Sequence, residues 1–97
     1  MIKETSALHI RATKSGMSEV FVRPKDGKSF TLDELQGFVG GNIEIVQTKN
    51  DNEVMVINEE GKLKGLPVNI IATKRYIYGD HDKIVGDVLL ADKHLVR

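Results

Sequence analysis

The chain has 97 residues, 40% of them apolar, and 14 basic against 14 acidic side chains, so its formal charge is zero. That length gives one domain, residues 1–97, with a single core. The even charge excludes a basic nucleic-acid arm and an acidic tail, and the lack of cysteine excludes disulfides, thiolate metal sites and a cysteine nucleophile. The residues up to Lys14 carry no apolar run of signal-peptide length, and the longest apolar stretch, Val88–Ala91, is far short of a membrane span. A soluble cytoplasmic domain is expected.

Leu8, Ile10 and Ala12 alternate with His9, Arg11 and Thr13, the period of a half-buried strand. After the Ser15-Gly16 turn, Val20 and Val22 alternate with Glu19, Phe21 and Arg23, so an antiparallel hairpin is predicted. Pro24-Lys25-Asp26-Gly27 is a turn, with φ preset by proline and a positive φ open to glycine. Thr31 and Glu34 stand at capping-box spacing, and Phe30 and Leu35 at the hydrophobic-staple positions. Leu32, Leu35, Phe38 and Val39 share a helical face, and Gly40-Gly41 supplies the stop, which predicts a helix over Leu32–Val39.

Ile43–Thr48 and Val54–Ile57 read as strands around a polar turn. Asn58-Glu59-Glu60-Gly61 is a second turn, with Gly61 expected at positive φ. Lys62–Lys64 suits a short strand that Pro67 cannot continue. Asn69 can cap a helix over Ile70–Tyr78, although periodicity there also suits a strand. Ile84–Leu90 reads as a buried final strand. The order ββ-α-ββ-(α)-β predicts an α+β fold, with a mostly antiparallel sheet and one main helix packed on it.

No phosphate loop, nucleophile elbow or zincin motif is present. Asp80-His81-Asp82 offers three ligand atoms in a row, but adjacent residues chelate one ion poorly, and a solvated turn is expected instead of a metal site. Glu59 and Glu60 form a carboxylate pair on a turn, where solvation rather than acid–base work is expected. Asp87 lies in an apolar run beside Val85 and Leu89, so if buried it must meet donors near Gly61, Gly65 or Lys62. Arg11 and Arg23 lie on the same side of their strands as His9 and Phe21, a cationic face that could bind an anion such as a nucleotide, with an ordinary sheet surface the favoured alternative. Tyr76 and Tyr78 suit core and rim better than a stacking platform.

Four segments carry a resemblance: Thr31–Gln36, Gly40–Val46, Asn58–Asn69 and Ile84–Leu90. The Gly-Gly-Asn-Ile-Glu, Asn-Glu-Glu-Gly-Lys-Leu-Lys-Gly-Leu-Pro-Val-Asn and Gly-Asp-Val-Leu-Leu motifs resemble a family of small domains of unknown function in bacteria, phages and mobile elements. The resemblance implies no reaction and no cofactor. It implies the company of accessory proteins, which bind host factors or sequester small signalling molecules. In the middle motif, Gly61 permits a turn, Gly65 and Pro67 shape a bend, and Asn69 can cap the next segment. Glu44, Asn58, Glu60, Lys62, Asn69 and Asp87 are then expected to converge beside the sheet.

The leading expectation is a non-enzymatic binding protein, a phage or mobile-element accessory factor that engages a host protein, with counter-defence as one such role. The second is a protein that sequesters a small nucleotide-like anion, and the third a small enzyme. A homo-oligomer is expected through an open edge at Ile43–Thr48 or Ile84–Leu90, each with a single charge.

Overall fold

The computed structural model describes residues 6–96. Five strands form one antiparallel sheet: β1 (Ala7–Thr13), β2 (Gly16–Val22), β3 (Ile43–Gln47), β4 (Glu53–Asn58) and β5 (Val88–Asp92). Their spatial order is β2-β1-β5-β4-β3. Helix α1 (Leu32–Val39) packs on one face, and the shorter α2 (Ile70–Arg75) lies on the other. The fold is α+β, as the element order predicts. Among the described residues, no helix is long and apolar enough to cross a membrane.

The last strand occupies the centre of the sheet, which explains why it is apolar from Val88 to Ala91. Leu89 and Ala91 point to the α1 side and join Phe30, Leu35, Val39, Val56 and Leu95 in one core. Val88 and Leu90 point the other way and join Leu8, Ile10, Met55, Ala72 and Ile84 in a second. A strand covered on both faces has no polar alternation to show.

Helix α1 forms as its termini dictate. Glu34 N–H donates to Thr31 Oγ1 at 3.1 Å, and Thr31 N–H donates to Glu34 Oε1 at 2.9 Å, which completes the capping box. Gly40 closes the helix at φ 79°. Phe30 and Leu35 are both buried, as a staple requires. Two sheet side chains hold the other end: His9 Nε2 donates to Phe38 O at 2.9 Å, and Asn58 Nδ2 donates to Val39 O at 3.1 Å. Both carbonyls lie in the last helical turn, where intrahelical partners run out. Leu32 departs from the expected face and is exposed. In a helix of 8 residues the inward stripe is filled by Leu35 and Val39, with Phe30 below them.

The carboxylates at this end predict an acid response. Backbone N–H groups, Thr31 first, hold the Glu34 carboxyl below its ordinary value, and those of Lys28 and Ser29 do the same for Asp26. A lowered native pKa contributes stability above the unfolded value, and that contribution is lost as pH falls through the native one. Urea midpoints of the wild type and Glu34→Gln should therefore differ at pH 7 and converge once pH drops well below the ordinary carboxylate range, near 4.5 for Glu. Parallel midpoints from pH 7 to pH 2 would show that the charge of Glu34 contributes nothing.

Several boundaries differ from the sequence reading. Strand β5 begins at Val88, not Ile84, because Gly86 adopts φ 78° and breaks the run. A Cβ at Gly86 would also lie 2.7 Å from Leu66 Cδ1. The ambiguous segment is helix over Ile70–Arg75 only; Tyr76 is extended and bridges Thr48. Lys62–Lys64 is turn, not strand. Gly61 is not at positive φ; that conformation belongs to Gly65. Crowding favours glycine at 61, since a Cβ there would meet Val85 Cγ2 at 2.9 Å and that side chain would have to shift. Val20, expected to face inward, is 52% exposed because β2 is an edge strand lying outside both helical layers.

Candidate functional site

On the α2 side, the ends of β3 and β4 meet the 59–63 turn and the 82–85 segment around a pocket of about 160 Å³. Its floor is apolar: Val46, Ile57, Ile84 and Val85. Its polar walls are Glu44, Glu59, Lys62, Asp82 and Lys83, and Tyr76 completes one side. Of the converging residues read from the sequence, Glu44 and Lys62 line this cavity; Asn58 borders it too, but its amide is committed to Val39 O on the α1 side and to Glu60 N–H.

The electrostatics of the pocket are set by pairing. Lys62 Nζ donates to Asp82 Oδ1 and holds that carboxyl below its ordinary pKa. Burial raises the Tyr76 phenol, and the Asp82 and Glu44 charges push it further the same way. The walls carry three carboxylates against two ammonium groups, a balance that repels an anion. Asp82 is committed to Lys62 and to Lys83 N–H at 2.9 Å. Among the described residues, no three His, Asp or Glu side chains cluster as metal ligands would.

The lip of the pocket is apolar. Leu63, between two lysines on the turn, is 89% exposed. Tyr76, which lines the pocket, and Tyr78 stack edge to face at 5.7 Å, and Tyr78 and Ile77 are exposed. Sequence reasoning assigns the two tyrosines to core and rim and does not single out Leu63. The available signal was a leucine flanked by lysines in a segment with no strand partner.

The remaining candidates lie elsewhere. Glu60 sits on the turn outside the pocket; Asn58 Oδ1 accepts its N–H at 2.8 Å, and its carboxylate faces Lys64 Nζ at 3.9 Å. Asn69 is fully buried under α2. Its Nδ2 donates to Ile10 O at 3.2 Å and Gly86 O at 2.9 Å, and its Oδ1 accepts Ala72 N–H at 3.0 Å. It ties β1, the 84–86 segment and the helix together; both amide hydrogens are spent, and the buried side chain is out of a ligand's reach.

Asp87 meets donors, but different ones from those expected. It precedes β5, and its Oδ1 accepts Ala12 N–H at 3.0 Å, extending the β1–β5 ladder by one side-chain bond. Arg11 Nε lies 3.7 Å from Oδ2. An Asn side chain keeps the acceptor for Ala12, so Asp87→Asn should cost only about 0.5 kcal/mol, the value of an exposed ion pair. Asp87→Ala should cost about 1–2 kcal/mol, because it orphans a backbone N–H. Urea unfolding of both variants checks this order; equal losses would mean the charge, not the acceptor, matters.

The expected cationic hairpin face is not formed. The register sets Leu8 opposite Phe21 and Arg11 opposite Ser18, so odd positions of β1 share a face with even positions of β2. Arg11 and Phe21 therefore lie on opposite faces, and Arg23 follows Val22, which pairs with Ala7 at the far end from Arg11.

A profile of a domain of unknown function, DUF3846, matches residues 7–94. The chain belongs to the DUF3846 family. The match spans both layers and every candidate residue above, including the first hairpin, which the motif resemblance did not cover. No curated protein and no solved structure matches the chain.

Proposed function

We propose that this DUF3846 protein is a non-enzymatic binding module that docks a partner protein through the pocket beside Leu63. The size of the pocket carries the reading. An engineered cavity of about 150 Å³ holds a benzene ring, whereas sites for drug-sized ligands run from about 300 Å³ upward. At about 160 Å³, the pocket suits one apolar side chain anchored from outside, the geometry of an interface hot spot. Leu63 flanks it as an exposed apolar contact, Tyr78 stacks on its wall residue Tyr76, and the Lys62–Asp82 pair gives a polar rim. A host protein is the partner this reading favours, in the setting of a phage or mobile-element accessory factor acting in counter-defence.

Sequestration of a nucleotide-like anion is the weaker reading: the pocket is small, its carboxylates outnumber its cations, and Arg11 and Arg23 are apart. The two readings separate cleanly. Immobilised wild type should retain a bacterial protein in stoichiometric amount that Leu63→Asp does not, while the melting midpoints of the two agree within about 2 °C. Retention of the same proteins by both, or of none, would overturn partner docking. A nucleotide at a hundredfold its Kd adds about 2.7 kcal/mol, so a midpoint rise near 10 °C would establish sequestration instead.

A further inference from the structure

We propose that the open edge of β2 pairs antiparallel with the same edge of a second copy of this chain, about a twofold axis through Phe21. The proposal is independent of the partner reading above.

Three observations carry it. The first is which edge is free. β5 lies inside the sheet, which removes the Ile84–Leu90 route, and the β3 edge is partly covered. There Gln47 O accepts Ile77 N–H at 3.2 Å, Lys49 N–H donates to Arg75 O at 3.0 Å, and Thr48 bridges Tyr76. β2 is the other edge, 7 residues long.

The second is which backbone groups it presents. Ala12 N–H points to Asp87 on the β5 side, so even positions of β1 face β5 and odd positions face β2. The hairpin register then turns even positions of β2 toward β1 and leaves the N–H and C=O groups of Met17, Glu19 and Phe21 directed outward. Among the described residues, none of these outward groups has a backbone partner.

The third is self-complementarity. Val20 and Phe21 are 52% and 58% exposed, on opposite faces, and Glu19 is the one charge in the strand. With Phe21 on the axis, Phe21 pairs with itself through two backbone bonds made by outward groups. With the pairing carried one residue past the strand end at Val22, Glu19 falls opposite Arg23 of the second copy on the same face, twice by symmetry. On the other face, Val20 falls opposite Val22. Long apolar edges pair with other chains unless they are blunted, and this one has a charge pattern that fits its own copy.

The chain has no cysteine, so single cysteines report the register. Residues directly opposite in a hydrogen-bonded pair have Cα atoms about 5.5 Å apart, within disulfide range. Phe21→Cys should cross-link to a covalent dimer under mild oxidation, and Ser18→Cys, about 20 Å from its copy at about 3.4 Å per residue, should not. In sedimentation the wild type should show a concentration-dependent dimer. Glu19→Arg should weaken it roughly tenfold by setting like charges opposite, and Glu19→Arg with Arg23→Glu should restore it. A wild-type monomer at high micromolar concentration, equal cross-linking at positions 18 and 21, or no rescue by the charge exchange would each overturn the proposal. The first of these would leave the edge to another protein's strand.

Discussion

Asn69→Ala is expected to lower stability by about 3–5 kcal/mol, the largest loss of any polar substitution in the chain. The residue is 0% exposed and uses both ends of its amide. Removing it leaves the Ile10 and Gly86 carbonyls without their side-chain donor and Ala72 N–H without its cap, all in a region that water does not reach. Each buried group left unsatisfied costs about 1–3 kcal/mol, and the total is a large fraction of the 5–15 kcal/mol typical of a domain. Asn69→Asp keeps the acceptor for Ala72 but loses the two donated bonds, and it buries a charge beside two carbonyls. It should be no better tolerated than Asn69→Ala. Urea unfolding at pH 7 measures both; a loss below about 1 kcal/mol for Asn69→Ala would show that the three segments hold together without the clamp.

Leu35→Ala is expected to cost about 2–5 kcal/mol, as a large-to-small change in a filled core. Leu35 is 3% exposed and shares its cluster with Phe30, Val39, Val56 and Leu89, so its loss opens a void between α1 and the central strands. Because Phe30 and Leu35 form the staple, the cap at Thr31 should loosen with it. A change smaller than 1 kcal/mol would mean that α1 does not lean on the sheet through this face.

The helix was legible because its signals are local. Thr31, Glu34 and Gly40 each act within one turn, and the structure forms the box and the left-handed cap at those positions. Asn69 was legible as a cap for the same reason, but its two long-range donor bonds were not, since Ile10 is 59 residues away. The strand at Val88–Ala91 was visible as an apolar run, yet nothing local could show that it lies between β1 and β4. Its start was not legible, because Val85, which bridges Val68, has the same β-branched character as a strand residue.

The candidate site was partly legible. Glu44 and Lys62 were expected together and line one pocket, whereas the Asn58 amide turns to the end of α1. Asp87 and Arg11 were expected in different clusters and form a pair of their own. The hairpin face failed on parity: the two-residue connection between Thr13 and Gly16 makes the register sum odd, which places Arg11 and Phe21 on opposite faces. The exposure of Leu63 was hidden because it depends on the 59–65 turn projecting from the sheet, a tertiary fact with no sequence period.

The central claim is that partner docking falls to the Leu63 lip while the buried polar residues hold the fold. Amide hydrogen exchange of the chain alone and with its retained partner tests this most directly. Slowed exchange should concentrate at Glu59–Gly65 and Tyr76–Tyr78, with α1 unchanged. Protection centred on α1, or on the Arg11 end of the hairpin with the 59–65 turn unaffected, would contradict it.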